Sequence, residues 1–208
     1  MPVKDIFNAV LAFDGEAVIE NVNKELSDGT RVAEILREGL IAPLDEIGQK
    51  FTTGEVFLPE MLAAAQAMKG GLEVIRPKLA GTVNLVAGKV VIGTVKGDLH
   101  DIGKDLVAMM LEGAGFDVVN LGVDVGPDAF AQAAEKQQAD IVALSALLTT
   151  TMPAMQATLK QLKSAGIKTK VIVGGAPVSQ SFADQLGADG YSDDAPGAVA
   201  LCKRLLGQ

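Results

Sequence analysis

The sequence predicts a mixed α/β protein, with helices in its first part and a parallel β-sheet in its second part. Up to about residue 80 the apolar residues recur at helical spacing. Beyond that point, short β-rich runs alternate with segments of roughly 12 to 20 residues, the length that a helical crossover between parallel strands requires. We therefore expect a helical domain at residues 1–87 and an α/β domain at residues 88–208.

The first domain is expected to contain four helices. Its apolar positions at helical spacing are Val32, Ile35, Leu36, Leu40, Leu44 and Ile47 in one segment and Met61, Leu62, Ala65, Met68, Leu72, Ile75 and Leu79 in another. Asp14 and Thr30 occupy positions typical of N-caps, and Pro59 suits a first helical turn. The tripeptides SDG and TTG indicate breaks between helices.

The second domain is expected to form a five-stranded, Rossmann-like sheet of the flavodoxin type. Its strands are predicted in KVVIGTV, FDVVNLG, DIVALSA, TKVIVGG and ADGYS. Three of these runs are almost wholly apolar, which indicates strands covered on both faces and hence a parallel, doubly wound sheet. In the strand order 2-1-3-4-5, ligands bind outside the carboxyl ends of the strands, between strands 1 and 3. GDLHDIG, SALLTTT and GGAP follow strands 1, 3 and 4, so three unusual loops converge at this edge.

Composition and charge exclude several classes of function. A net charge of −8 disfavours nucleic acid as a partner. No stretch reaches the roughly 18 apolar residues of a membrane span, and the N-terminus lacks a signal-peptide pattern. The single cysteine, Cys202, rules out an internal disulfide and is expected to be structural, and with one histidine it cannot form an ordinary zinc site. We expect a cytoplasmic protein whose partners are small molecules or other proteins.

The one histidine of the chain, His100, lies in the predicted loop after strand 1. The carboxylate of Asp98 can accept a hydrogen bond from one ring nitrogen and leave the other nitrogen to bind a metal. The remaining metal ligands must then come from carboxylates, water or a cofactor that brings its own, and a macrocycle needs only one protein ligand. The alternative is a loop histidine capped by a neighbouring acid. Asp101 could likewise have either a functional or a structural role, and Asp105 is expected on the solvated surface of a helix.

Three motifs, in this order along the chain, resemble the signature of cobalamin-binding domains. DLHDIG matches D-x-H-x-x-G, Ser145-Ala146-Leu147 matches S-x-L, and Gly174-Gly175 match a pair of glycines. The helical part, notably VFLPEMLAAAQAMKGGLEVIRP, resembles the cap module that precedes this domain in methionine synthase. The resemblance covers nearly the whole chain, which is similar to the stand-alone corrinoid proteins of methanogen and acetogen methyltransferase systems.

The resemblance implies a cobalamin bound base-off and His-on, with His100 as the cobalt ligand and Asp98 behind it as its functional partner. The other implied contacts to the cofactor lie in the same loops: Asp101, Ile102 and Gly103; Ser145, Leu147, Thr149 and Thr150; and Gly174, Gly175, Ala176 and Tyr191. Small residues and hydroxyls there suit the passage of the displaced nucleotide tail. Phe57, Leu58 and Met61 are expected to shield the upper face of the corrin, the alternative being ordinary bundle core. Lys104 is expected either at the corrin rim or facing solvent.

The implied function is that of a methyl carrier that is not catalytic alone. The cofactor would cycle between cob(I)alamin and methylcobalamin, receiving a methyl group through a substrate-specific methyltransferase and passing it to a second, acceptor methyltransferase. A reductive activase is a further partner that the resemblance allows. The donor (methanol, a methylamine, a betaine or an aryl methyl ether), the acceptor (a thiol coenzyme or a tetrahydropterin) and the oligomeric state stay open. The glycines at 81 and 88 predict a hinge between the two domains.

Other functions remain as alternatives. The small cobalamin-binding subunit of a carbon-skeleton mutase would share DLHDIG but usually lacks the helical cap. A cobalamin-dependent sensor would need a DNA-binding module and a basic patch, and neither is visible. A phosphorylated receiver domain would need an aspartate where Ser145 stands.

Overall fold

The computed structural model describes residues 3–79 and 87–207. These residues form two compact units, residues 3–79 with Met109–Gly115 and residues 87–108 with 116–207. The predicted hinge at 81–88 lies outside the described residues except for Ala87 and Gly88, and the domain boundary placed there stays a prediction.

The helical unit contains four helical bodies within the described residues, as the sequence predicts. They are α1 (Lys4–Leu11), α2 (Gly15–Ser27), a continuous body made of α3 (Val32–Glu34), a π-helical turn (Ile35–Ile41) and α4 (Ala42–Thr52), and α5 (Leu58–Leu79). The π-helical turn ends just before Pro43, which has no N–H to donate and whose ring would clash in a regular α-helix. The widened turn therefore lets one helical body run past a proline.

The caps of these helices follow the sequence with one exception. Asp14 caps α2, because its carboxylate accepts a hydrogen bond from the Ala17 N–H at 3.0 Å. Pro59 is the second residue of α5. The N-cap expected at Thr30 is wrong, since Arg31 precedes α3 and caps it with no side-chain hydrogen bond. The Thr30 hydroxyl instead donates to the Glu25 carboxylate at 2.5 Å, and this satisfies a charged group that is almost fully buried.

The second unit is a parallel sheet of five strands in the order β2-β1-β3-β4-β5, which confirms the predicted fold. The strands are β1 (Lys89–Thr94), β2 (Asp117–Asn120), β3 (Ile141–Ser145), β4 (Lys170–Gly174) and β5 (Gly190–Ser192). The helices that follow them are α6 (Ile102–Gly113), α7 (Pro127–Gln137), α8 (Met152–Ser164), α9 (Gln180–Leu186) and α10 (Ala195–Leu205). Each strand lies within the run that predicts it.

The central strands form the core of the sheet and align its functional edge. β1, β3 and β4 are almost entirely buried. A Cβ on Gly93 would lie 2.8 Å from the Phe130 ring, so the glycine in β1 allows this aromatic side chain to pack directly on the strand. The register pairs Thr94 with Ser145 and Ser145 with Gly174. Three strands therefore end side by side, and the loops that follow them start level with one another.

Among the described residues, no helix is both long and apolar enough to cross a bilayer.

We predict that Cys202 is chemically inert in the folded protein. The thiol is fully buried in α10, and this burial raises its pKa to about 12. Because the thiolate is the reactive form, Ellman's reagent at pH 8 should label the native protein at a small fraction of the rate seen in denaturant. Complete labelling of the native protein within the time needed for the unfolded chain would contradict this placement.

Candidate functional site

The candidate site lies at the carboxyl end of the sheet, where the strand order reverses. The chain leaves β1 toward β2 on one side and returns to β3 on the other, and in sheets of this strand order ligands bind between strands 1 and 3. The loop after β1 carries Asp98 and His100, and the loop after β3 runs from Ala146 to Thr151. The three loops that the sequence predicts to converge therefore do share this edge.

Asp98 is the centre of the hydrogen-bond network at this edge, and it is fully buried. One carboxylate oxygen, Oδ2, accepts hydrogen bonds from the Leu147 and Leu148 N–H groups at 2.8 and 3.2 Å. The same oxygen accepts one from the Thr151 hydroxyl at 2.7 Å. Burial alone would raise the pKa of the carboxyl, but the hydrogen bonds from Thr151, His100 and Leu147 outweigh burial and hold this pKa well below its ordinary range. The carboxylate is therefore ionised and can only accept hydrogen bonds.

The second oxygen of Asp98 fixes the imidazole of His100. Oδ1 lies 2.7 Å from His100 Nδ1 and also accepts the His100 backbone N–H at 3.1 Å. Because an ionised carboxylate has no proton to give, Nδ1 carries the hydrogen, and the lone pair of the neutral ring is on Nε2. The side chain of His100 is half exposed. The backbone carbonyl of His100 accepts a hydrogen bond from the Thr94 hydroxyl at 2.8 Å. The site thus presents one oriented ring nitrogen that can bind a metal.

Thr151 is a member of this network that the sequence analysis missed. Thr149 and Thr150, which were expected at the site, are exposed, whereas Thr151 is buried and contacts Asp98. Its hydroxyl also lies 2.8 Å from the Leu148 carbonyl, and its one proton favours the charged carboxylate. A signal was available, because Thr151 immediately precedes the Met-Pro start of α8 and so occupies the N-cap position, although its hydroxyl makes no cap hydrogen bond.

Apolar side chains are exposed around the imidazole. The expected contacts Ile102 and Leu147 are 73% and 42% exposed, and Leu99 and Leu148 beside them are 71% and 43% exposed. Asp101 and Gly103 are also exposed, and a Cβ on Gly103 would meet only open space. Large apolar groups that face solvent on two adjacent loops indicate a surface that a ligand covers. Leu99 and Leu148 were not singled out from the sequence as site residues.

The two glycines after β4 are explained by a close approach of the backbone. Gly175 has a φ of +122°, and a Cβ there would lie 1.9 Å from the Ala146 carbonyl oxygen. A Cβ on Gly174 would lie 3.1 Å from the Ser192 carbonyl oxygen. The loop after β4 therefore packs directly against the start of the β3 loop and beside β5. Ala176 is exposed, and Ser145 and Tyr191 are half-buried; contact of these residues with a nucleotide tail stays a prediction.

The residues expected to form an upper cover differ in their exposure. Phe57 and Leu58, at the start of α5, are 68% and 39% exposed, and the Phe57 N–H donates to the Glu60 carboxylate at 2.8 Å. Met61 is fully buried, and the alternative of ordinary bundle core describes its position. A covering role for Phe57 and Leu58 stays a prediction.

Lys104 does not face solvent, whereas the Asp105 side chain is 45% exposed on α6, as expected for a helix surface. Lys104 is 3% exposed, and its ammonium group contacts the Asp105 carboxylate and lies 2.9 Å from Asn120 Oδ1. Asn120 in turn donates to Asp105 at 2.8 Å. The buried ammonium group of Lys104 needs these oxygens to offset its desolvation. This cluster ties the first turn of α6 to the end of β2.

The set of available ligands fits a cofactor that supplies most of its own. Within residues 3–79 and 87–207 no group of three or more His, Cys, Asp or Glu side chains could hold a metal ion. One imidazole nitrogen is nevertheless oriented and half exposed beside an apolar rim. A metal in a macrocycle satisfies both conditions, since the ring fills the equatorial positions and its faces are apolar. The fold and the site are thus those of an α/β protein whose carboxyl edge suits a metal macrocycle.

Comparisons with known proteins identify this class. Residues 88–200 match the B12 binding domain family, and residues 3–76 match a second B12 binding domain family. Trimethylamine corrinoid protein 2 of Methanosarcina mazei is 45% identical over 96% of this chain and 93% of its own length. Dimethylamine corrinoid protein 1 of Methanosarcina acetivorans is 40% identical over 98% of this chain and 97% of its own length.

A solved structure shows the same likeness in three dimensions. The methanol:cobalamin methyltransferase complex MtaBC from Methanosarcina barkeri superposes with a TM-score of 0.89 at 28% identity, covering 99% of this chain and 80% of the other. The chain belongs to the B12-binding corrinoid protein family, and its cofactor is a cobalamin. The resemblance seen in the sequence motifs is confirmed.

We predict that the neutral imidazole of His100 is protonated on Nδ1 in the protein without cofactor. His100 is the only histidine, so a long-range ¹H–¹⁵N spectrum of tag-free protein contains a single imidazole. Asp98→Asn should abolish this preference, because the amide is uncharged and one of its ends donates hydrogen bonds. Asp101→Asn, an exposed acid beside the same histidine, is the matched control and should leave the spectrum unchanged. An Nε2-protonated ring in the unmodified protein would refute the geometry described here.

Proposed function

We propose that this chain carries a methyl group on a bound corrinoid between two methyltransferases. The observation that supports this most directly is the His100 imidazole, held by a buried carboxylate with its second nitrogen open at the ligand-binding edge of a B12-binding fold. When bound, the corrinoid supplies the chemistry of the carrier, since its cobalt can accept a methyl group and give it up again.

The protein's own residues would hold the cofactor and control its lower face. Nε2 of His100 is the proposed metal ligand. Asp98 keeps the proton on Nδ1, and Thr151 with the N–H groups of Leu147 and Leu148 keeps Asp98 ionised. A carboxylate behind a metal-bound imidazole makes that imidazole a stronger donor to the metal. The apolar rim would exclude water from beneath the ring.

The partners follow from the same reasoning. MtaBC is by its name a methanol:cobalamin methyltransferase complex, and a likeness to it over nearly the whole chain supports docking to a methyltransferase. The names of the trimethylamine and dimethylamine relatives support a methylated amine as the first donor to test. A second methyltransferase as acceptor and a reductive activase complete the proposal. The cytoplasmic location expected from the sequence stays a prediction.

The alternative functions are less well supported. The helical module has its own family match, and the corrinoid relatives align over nearly their entire lengths. A mutase subunit that lacks the cap would align with only part of this chain, and a sensor with an added DNA-binding module would leave part of its own length unaligned. The carrier is therefore the function that the two units together favour.

We predict that the cobalamin-loaded protein transfers methyl groups only when both a donor methyltransferase and an acceptor methyltransferase are present. A three-protein assay with a trimethylamine-, dimethylamine- or methanol-specific partner should give multiple turnovers with one of them. The Asp98→Asn protein should still bind cobalamin but transfer about 10 to 100 times more slowly, because the imidazole loses its charged partner.

Asp117→Asn, which removes an exposed acid at the start of β2, away from the site, serves as the control and should transfer at the unmodified rate. Multiple turnover by the loaded chain alone would contradict the carrier function. Unchanged transfer by Asp98→Asn would show that Asp98 only shapes the loop.

A further inference from the structure

Asp124, an acidic residue in the loop between β2 and α7, makes several hydrogen bonds to the histidine loop. Its backbone N–H donates to the Asp98 carbonyl at 2.9 Å. Its carboxylate accepts the Gly97 N–H at 2.8 Å on Oδ1 and the Lys96 ammonium at 2.9 Å on Oδ2. One residue therefore binds three consecutive residues that lead to His100.

The backbone of Asp124 shows why an aspartate suits this position. Its φ is +55°, in the left-handed region that aspartate, asparagine and glycine tolerate best. Gly97, which it contacts, has a φ of +86°. The neighbouring Val125 N–H donates to the Thr94 carbonyl at 3.0 Å, so the strand pairing continues up to this point. Two residues with a left-handed backbone conformation thus meet just after β1, where the chain enters the histidine loop.

The two sides of Asp98 are fixed by different loops. Its side chain is held by the loop after β3, through Leu147, Leu148 and Thr151. Its backbone is held by Asp124, from the loop after β2. Because His100 lies only two residues further on, a shift of the Gly97–Asp98 peptide would move the carboxylate that orients the imidazole.

We propose that Asp124 is a positioning residue for the cobalt ligand, acting through its hydrogen bond to the Gly97 N–H. This inference rests on the proposed function in that His100 is taken as the ligand. The bond from Oδ1 to Gly97 carries the effect, and the ion pair with Lys96 is exposed and contributes little.

Three variants separate these contacts. Asp124→Gly removes the carboxylate while keeping a residue that adopts positive φ freely. Asp124→Asn keeps an acceptor for Gly97 and tolerates the same backbone, but loses the charge. Lys96→Met removes the ion pair alone.

Asp189→Gly is a matched control, because it removes an aspartate that makes the same kind of contacts elsewhere in the sheet. Asp189 likewise bridges a lysine, Lys170 at 2.9 Å, and a backbone N–H, that of Val171 at 2.8 Å. Asp189 immediately precedes β5, and both contacts are with the start of β4, at the opposite end of that strand from the site. Its loss should lower thermal stability without affecting the imidazole.

Two measurements report on His100. In the tag-free protein without cofactor, the single imidazole gives the ratio of the Nδ1-protonated to the Nε2-protonated ring by ¹⁵N shifts. In the protein loaded with Co(II) cobalamin, acid titration of the EPR signal gives the pH at which histidine ligation is half lost. We expect Asp124→Gly to lower the tautomer ratio by about 3- to 10-fold and to raise the EPR midpoint by about 0.5 to 1 pH unit, because a poorly held ligand competes less well with protons.

Asp124→Asn and Lys96→Met should stay within about twofold of the unmodified protein on both measurements. A normal imidazole signal and EPR midpoint in Asp124→Gly would overturn the proposal, and so would an equal change in Asp189→Gly. An effect of Lys96→Met as large as that of Asp124→Gly would overturn the assignment to the Gly97 bond. If the unmodified protein shows no histidine ligation at all, the proposed function fails, and the cofactor-free spectrum still decides whether Asp124 positions the ring.

Discussion

The buried carboxylate of Asp98 is the interaction on which the site depends. Its two oxygens accept five hydrogen bonds, from His100, Leu147, Leu148 and Thr151. A buried charge is tolerated only when such donors replace the water that it has lost. The same bonds join the loop after β1 to the loop after β3, so the group that orients the metal ligand also closes the edge of the sheet. Loss of this charge would therefore disturb both the imidazole and the contact between the two loops.

The fold provides this arrangement through the alignment of three strand ends. Thr94, Ser145 and Gly174 are paired across β1, β3 and β4, so their loops start level with one another. Thr94 donates to the His100 carbonyl, and Gly175 lets the β4 loop pack on Ala146. Parallel strands buried on both faces are rigid, and the flexibility needed to accept a ligand is left to the loops. His100 lies in one of these loops, where its hydrogen bonds with Thr94 and Asp98 hold it.

Much of this could be predicted from the sequence because local patterns determine it. Apolar runs with regular spacing gave five strands in their correct order, and the pairing of Asp98 with His100 follows from a separation of two residues. Other features depend on contacts between distant segments. Three threonines in a row look alike until the turn before α8 brings only Thr151 to Asp98. Asp124 lies 26 residues after Asp98 in the sequence, and its contact exists only because β2 pairs beside β1. Helical spacing likewise could not separate buried Met61 from exposed Phe57.

The central claim is that the one histidine of this chain is the axial ligand of a corrinoid, and isotope labelling tests it most directly. The protein should be prepared with ¹⁴N-histidine and with ¹⁵N-histidine, loaded with natural-abundance cobalamin in the Co(II) state, and examined by EPR. If Nε2 of His100 binds the cobalt, the superhyperfine pattern should change from triplets to doublets on labelling. Triplets that persist in the labelled protein would mean that the cofactor's own base is still bound, and a spectrum without nitrogen splitting would mean that no imidazole is. Either result would contradict the account.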